Sequence, residues 1–163
     1  LGPRVPFAGG TALPYLGETL TIRHRPDARR GTWREGAALM VSGGDEFLAR
    51  RVTDFLKAEA KREATDRARV HAAALDRAIG RGTVRDPASR WGSCSSTGGL
   101  NFSWRLVMAP AAVFDYVVVH EVAHLVHMHH GPDFWRTVAR LCPGHDKARR
   151  WLRAHGRRLH RYG

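Results

Sequence analysis

The sequence has few cysteines, no long apolar run and few acidic residues. Its two cysteines, Cys94 and Cys142, are fewer than a disulfide-stabilised domain of this size normally carries, so we expect free thiols and a cytoplasmic protein. No apolar run reaches the roughly 18 residues that a membrane span needs, and the N-terminus has no signal-peptide pattern. Glycine motifs for phosphate or dinucleotide binding are also absent, which argues against P-loop and Rossmann enzymes.

The shortage of acidic residues leaves a strong positive charge. Lys and Arg together number 27 against 15 Asp and Glu, for a formal net charge of +12. Such an excess favours polyanionic partners, and nucleic acid is the main candidate. Four arginines near the C-terminus follow one helix face and could track a phosphate backbone, although a solvated helix face is the favoured interpretation: Arg150, Arg153, Arg157 and Arg161. Nucleic acid is thus possible but not favoured, and no membrane partner is expected.

The length and composition predict one domain with one core. The chain has 163 residues, of which 43% are hydrophobic. We expect residues 1–12 to form a loose N-terminal tail and residues 13–163 to form a single α+β domain. Short strands are predicted up to Val41, followed by a helix from about Asp45 to Ile79 that breaks near Thr65.

A second predicted helix carries the most informative motif. It begins near Pro110 and is apolar on almost every side, which is typical of a buried central helix. Its polar residues are His120, Glu121 and His124. Burying two imidazoles and a carboxylate among valines is costly unless a metal or other partners satisfy them.

The spacing of these three residues is that of an H-E-x-x-H zinc motif. Residues four apart lie on one helix face, so His120 and His124 can reach one metal ion. Glu121 lies off that line and can take a proton from a water molecule that zinc has acidified. The pattern predicts one Zn²⁺ and a metallohydrolase, most plausibly a peptidase.

A catalytic zinc needs a third protein ligand, and four histidines compete for that place. His130 is favoured because it lies six residues after His124, the spacing that metzincins use. His145 is an alternative from a later loop. His127 is about 10 Å along an unbroken helix from His120, so we interpret it and His129 as ordinary polar residues.

Four segments together resemble a known family: residues 90–95 (RWGSCS), 100–107 (LNFSWRLV), 116–125 (YVVVHEVAHL) and 130–135 (HGPDFW). They resemble the YgjP-like metallopeptidases, a group similar to the SprT and Spartan-like zinc proteases. The resemblance is strong from about Asp86 to Trp135 and fades after Cys142.

The resemblance implies a minimal zincin-like fold, in which a small antiparallel sheet packs on the central H-E-x-x-H helix. It implies zinc ligation by His120, His124 and His130, with Glu121 as general base. It also implies that the strand containing Leu100, Asn101 and Phe102 borders the cleft and offers an edge to a peptide substrate. Candidates for stabilising the oxyanion are His145, Arg149 and Tyr116.

Other interpretations remain open at this stage. The chain could be a Spartan-like protease that acts on DNA-bound proteins, as its charge suggests, or a zinc-stabilised nucleic-acid-binding module without turnover. Cys94 follows a Gly-Ser pair, but it lacks the flanking residues of a papain-like nucleophile, so a structural turn is favoured there.

Overall fold

The N-terminal part of the chain forms a four-stranded sheet. The structure, a computed structural model, describes residues 2–163. The strands are β1 (Ala12–Tyr15), β2 (Glu18–Arg25), β3 (Thr32–Glu35) and β4 (Ala38–Ser42), in the order β1-β2-β4-β3. Strands β2 and β4 are parallel, whereas the other two pairs are antiparallel. Leu16 and Gly17 both have positive φ, which suits the tight turn between β1 and β2.

A long helix, α1 (Leu48–Ala74), follows a short 3₁₀ turn at Asp45–Phe47. Its buried residues recur at every fourth position: Leu48, Val52, Leu56, Ala60, Ala64, Ala68 and Ala72. The alanines let the helix lie close to its neighbours, because a small side chain allows two backbones to approach. The helix is continuous through Thr65 and ends before Ile79, so the predicted break is wrong.

The second sheet contains β5 (Gly82–Arg85), β6 (Gly92–Cys94) and β7 (Leu100–Ser103) in the order β5-β7-β6. Strands β5 and β7 are parallel, and β6 and β7 are antiparallel. The α+β class is confirmed, but the single antiparallel sheet is not, because the structure has two mixed sheets. Strand β7 is central, which matters for the predicted peptide edge.

The remaining helices surround one buried helix, α2 (Ala111–Ala123). It packs against α1, β6, α3 (Pro132–Leu141) and α4 (His145–His155). Because neighbours cover it on several sides, its sequence is apolar almost all round. A 3₁₀ helix at Gly156–Arg161 completes the chain. Among residues 2–163, no helix combines the length and apolar character that crossing a membrane requires.

The N-terminal segment is packed against the domain, contrary to the expected loose tail. The amide of Val5 donates to the carbonyl of Arg161 at 2.8 Å, and the amide of Gly163 donates to the carbonyl of Val5 at 3.0 Å. Phe7 is 3% exposed and belongs to the main core. Apolar burial and backbone pairing therefore hold this segment in place, although residue 1 lies outside the described residues.

Candidate metal centre

The C-terminal end of α2 presents two of the predicted ligands. His120 lies in its last turn, and His124 is the residue that caps the helix. The chain then turns instead of continuing as helix, and residues 124–130 lead back toward the same face. Ending the helix here is what allows a residue only six positions beyond His124 to approach it.

The side chains of His120, His124 and His130 converge. One ring nitrogen from each lies within 4.8 Å of the others. The Nε2 atoms of His124 and His130 are 3.0 Å apart. Two imidazole nitrogens on one tetrahedral zinc at about 2.0–2.1 Å lie about 3.3 Å apart, so this spacing fits a shared ion.

His127 contributes through its backbone. Its carbonyl accepts a hydrogen bond from Nδ1 of His124 at 3.1 Å. A carbonyl oxygen only accepts, so Nδ1 carries the proton and Nε2 keeps its lone pair toward the cluster. Such an outer hydrogen bond orients a metal-binding imidazole. No pattern in the sequence points to this role, because any residue provides a carbonyl.

Two aromatic residues at the start of α3 enclose the imidazoles. The ring of Phe134 lies 4.6 Å from that of His124 and 4.8 Å from that of His130, centroid to centroid. Trp135 lies 5.9 Å from His120. In the sequence these two residues stand out only as part of the 130–135 segment that resembles the family. Their position directly after His130 means that the same turn places both the third imidazole and its aromatic support.

The chemical environment of His130 favours the neutral ring. Partial burial, followed by the charges of His120 and His124, lowers the pKa of His130 below its ordinary value. A neutral imidazole is the form that binds a metal ion. The three rings are therefore suited to share one cation.

Glu121 is buried beside the cluster, with 6% of its surface exposed. Its Oε2 lies 3.0 Å from Nδ1 of His120. The side chain of Glu121 also packs against Gly92 of β6, where an added Cβ would lie 2.9 Å from Cγ of Glu121. The glycine therefore makes room for the acid between helix and strand.

A model of the YgjP-like metallopeptidase domain matches residues 3–155. The chain belongs to the YgjP-like metallopeptidase family. The match confirms the resemblance drawn from the sequence motifs. At the level of the family, it makes the chain a metal-dependent peptidase domain whose substrates are proteins or peptides.

The search of solved structures matched a zymogen. It is the crystal structure of the metallopeptidase zymogen of Methanocaldococcus jannaschii jannalysin, which is 18% identical. The alignment covers 47% of this chain and 79% of that one, with a TM-score of 0.42. A likeness of this size carries no argument about fold or activity. No curated protein sequence matches the chain.

A cavity of about 230 Å³ opens beside the imidazoles in this YgjP-like domain. Its lining comes from α2, α4 and the start of β6: Trp91, Gly92, Tyr116, Val117, His120, Glu121 and Leu152. Burial raises the pKa of Tyr116 to about 12, so the phenol keeps its proton at neutral pH and can donate it to a hydrogen bond.

The other two candidates for stabilising an oxyanion do not line this cavity. Arg149 stacks on the ring of Trp135, with its guanidinium carbon 4.7 Å from the ring centroid. Nδ1 of His145 lies 3.2 Å from the carbonyl oxygen of Cys142. Of the three candidates, Tyr116 is therefore the one that lines the cavity.

The predicted peptide edge at Leu100, Asn101 and Phe102 is wrong. These residues belong to β7, whose backbone pairs with β5 on one side and β6 on the other. Leu100 and Phe102 are also buried, at 1% and 2% exposure. A strand that already has two neighbours cannot accept a third.

Strand β6 is one of the two outer strands of this sheet, and β5 is the other. The amide of Ser103 donates to Trp91, and the amide of Ser95 donates to Gly99, so odd-numbered residues of β6 face β7. In an antiparallel pair the backbone groups of alternate residues point the other way. The amides and carbonyls of Gly92 and Cys94 therefore face away from β7, next to Glu121.

Both cysteines are free thiols. Burial, followed by the negative charge of Glu121, raises the pKa of Cys94. A raised pKa keeps the sulfur protonated and weakens it as a nucleophile. The structure therefore gives no support to a cysteine-protease mechanism, and Cys94 lies in β6 rather than in a turn.

The predicted arginine stripe is not one continuous helix face. Arg150 and Arg153 are exposed on α4, which ends at His155, and Arg157 is exposed on the 3₁₀ helix that follows. Arg161 donates from Nε to the carbonyl of Pro3 at 2.8 Å, so it serves to hold the N-terminal segment. Of the four predicted arginines, Arg150, Arg153 and Arg157 remain available as a nucleic-acid surface.

Proposed function

We propose that this domain is a zinc-dependent peptidase in which His120, His124 and His130 hold one Zn²⁺ and Glu121 is the general base. The observation that carries the proposal is the convergence of the three imidazole nitrogens within 4.8 Å, directly beside a buried carboxylate. Three protein ligands leave a fourth position open, which is the arrangement of catalytic rather than structural zinc sites.

The donor set favours zinc among the divalent ions. Imidazole nitrogen suits zinc well, whereas calcium and magnesium prefer oxygen ligands. When bound, zinc would lower the pKa of a water molecule and polarise the substrate carbonyl. The cavity next to His120 gives a peptide access to this position.

Glu121 and Tyr116 have separate roles in this proposal. The carboxylate of Glu121 accepts a proton from the attacking water and later delivers it to the leaving amine. The phenol of Tyr116, which lines the same cavity, donates a hydrogen bond to the developing oxyanion. Gly92 leaves the space that the side chain of Glu121 occupies between helix and strand.

The free edge of β6 holds the peptide backbone. Gly92 and Cys94 have outward-facing amides and carbonyls next to Glu121, so an extended peptide can add as a further strand. This assignment replaces the predicted β7 edge. It places a backbone site and the general base on the same side of α2.

The proposal is tested by measuring zinc content and casein cleavage for wild type and Glu121→Gln. We expect both proteins to bind about one zinc, since Glu121 is not a ligand. Cleavage by the variant should fall at least about a hundredfold, which is the usual effect of losing a general base. Glu46→Gln is the matched control, because Glu46 is exposed in the 3₁₀ turn before α1 and lines neither the metal centre nor its cavity.

Three results would contradict the proposal. Absence of zinc binding after zinc is supplied would remove the metal centre. Equal cleavage by both proteins would remove Glu121 as the base. Zinc binding without cleavage by wild type would favour a non-catalytic, zinc-stabilised module. A parallel series with DNA, at low and moderate salt, tests for a protease that acts on DNA-bound proteins, since phosphate contacts weaken with salt.

A further inference from the structure

The cavity beside the metal centre adjoins a second cavity. The second cavity, of about 240 Å³, shares Trp91 and Leu152 with the first, so the two are adjacent. This second cavity is also lined by Arg90, Arg157 and His160. A peptide that extends from the metal centre into this cavity would reach the two arginines. Burial, followed by the charge of Arg105, lowers the pKa of His160, so its ring is not counted among the cations.

One side of this second cavity is closely packed and held by hydrogen bonds. The ring of Trp91 packs on His160, with centroids 5.4 Å apart. Gly156 lies against the same indole, where an added Cβ would be 3.0 Å from Cζ2. Arg105 then ties down the 3₁₀ helix by donating to the carbonyls of Leu159 and Tyr162 at 2.9 and 2.6 Å. The helix that carries Arg157 and His160 is therefore held against Trp91.

The arginines at this site have no acidic partner. Among residues 2–163, no carboxylate lies within 4.0 Å of Arg90 or Arg157. Every carboxylate that lies this close to an arginine pairs with a different arginine. The nearby Asp86 is taken by Arg105, which it meets at 2.7 Å. The cavity therefore offers two free guanidinium groups, and a guanidinium binds a carboxylate through two parallel hydrogen bonds.

We propose that this cavity is a substrate subsite that binds a carboxylate of the peptide, either an acidic side chain or the C-terminal carboxylate. The proposal rests on the peptidase function above and adds the class of substrate. A peptide carboxylate fits better than a nucleic acid, because the cavity is small and lies next to the metal centre. A duplex carries a charge about every 1.7 Å and needs a longer row of cations.

The first experiment uses a peptide library of mixed sequence, digested by the zinc-loaded protein and read by mass spectrometry. An acidic side chain in the subsite would enrich Asp or Glu at one fixed position from the cleaved bond. A C-terminal carboxylate would instead give cuts at a fixed distance from the peptide end. The Arg90→Gln/Arg157→Gln double variant should lose either preference by about tenfold, since it removes charge-assisted hydrogen bonds. Arg153→Gln, an exposed arginine outside the cavity, should keep it.

The second experiment separates the subsite from the chemistry. The Glu121→Gln protein binds fluorescein-labelled short peptides that carry Glu or Gln, and anisotropy reports affinity without cleavage. We expect the Glu peptide to bind about tenfold more tightly, and the Arg90→Gln/Arg157→Gln changes to abolish the difference. If nothing is cleaved but this difference is present, the peptidase proposal fails and the subsite stands.

Some outcomes would overturn the subsite. Equal cleavage and equal binding of acidic and neutral peptides, with no dependence on the peptide end, would do so. A preference that survives in the double variant would place the carboxylate elsewhere. If the double variant instead loses binding of labelled duplex DNA while peptide preference is unchanged, the arginines serve a nucleic acid.

Discussion

At the scale of single residues, a backbone hydrogen bond and aromatic packing orient the imidazoles of the cluster. The carbonyl of His127 holds one ring nitrogen of His124, and Phe134 packs against that ring and against His130. Each contact removes rotational freedom from a side chain before any ion binds. A preorganised cluster pays less conformational entropy on binding than three mobile side chains would.

Gly92 affects the position of the proposed base, Glu121, because it has no side chain and leaves space for the carboxylate. A Cβ at this position would lie 2.9 Å from Cγ of Glu121 and 3.2 Å from the carbonyl oxygen of Asn101. The backbone oxygen is held in β7, so the side chain of Glu121 must shift. We expect Gly92→Ala to lower peptidase activity at least about tenfold, because a misplaced base transfers its proton poorly.

Zinc content separates this effect from unfolding. The Gly92→Ala protein should still bind zinc, since its histidines are untouched. Gly144→Ala is the control, because a Cβ there meets nothing within 4 Å. Full activity in Gly92→Ala would mean that the position of Glu121 does not depend on this strand.

At the scale of elements, a group of charged side chains fixes α2 against α1. Asp115 of α2 accepts from Arg67 of α1 at 3.2 Å, and both its oxygens lie 3.0 Å from Nε2 of His71. These side chains are partly buried, with the side chain of Asp115 25% exposed. They therefore set how the central helix, and with it His120, is rotated and placed.

This group predicts a pH-dependent stability. Burial raises the pKa of Asp115, but the hydrogen bonds and charges of His71 and Arg67 outweigh it and leave the pKa below 3.8. A depressed carboxyl pKa contributes stability that is present above the unfolded value and lost as the pH falls through the folded value. We expect Asp115→Asn to cost about 2 kcal/mol at neutral pH, measured by urea unfolding.

The cost of Asp115→Asn should shrink as the pH falls below about 4, because the unfolded wild-type chain then takes up a proton that the folded Asp115 resists. Asp66→Asn is the control, since Asp66 is exposed and lies 3.9 Å from Arg62 on the surface of α1. A constant difference between wild type and Asp115→Asn from pH 7 to acid would rule out this linkage.

At the scale of the whole molecule, Arg105 joins distant parts of the chain. Its guanidinium is almost buried and bonds Asp86 through both carboxylate oxygens. It also donates to the carbonyls of Leu159 and Tyr162. The segment it holds pairs with Val5 near the N-terminus, so one side chain links the second sheet to both ends of the described chain.

Removing this link should loosen the whole domain. We expect Arg105→Met to lower the free energy of unfolding by about 3 kcal/mol, because two carbonyls lose their donors and Asp86 loses its partner. Urea unfolding gives the value, and Arg153→Met is the control because Arg153 is exposed on α4. If Arg105→Met lowers the free energy of unfolding no more than the control does, water replaces these hydrogen bonds.

The sequence alone determined the local features. The spacing of His120 and His124 follows from helical periodicity, and the apolar surroundings of α2 follow from its burial. The family followed from short segments that can be read without a fold. The helix bounds were less predictable. The local sequence at Thr65 predicts a break, but neighbouring elements pack on α1 and the helix continues through this point.

Only the tertiary structure decided features that depend on residues far apart in the chain. Strand order is one such feature: β7 lies between β5 and β6, which moved the proposed peptide edge to Gly92. The packing of Phe7 and the cavity between Arg90 and Arg157 are others. Local patterns record which side chains share a face of one element. They do not record which elements become neighbours, because that depends on the free energy of packing the whole chain.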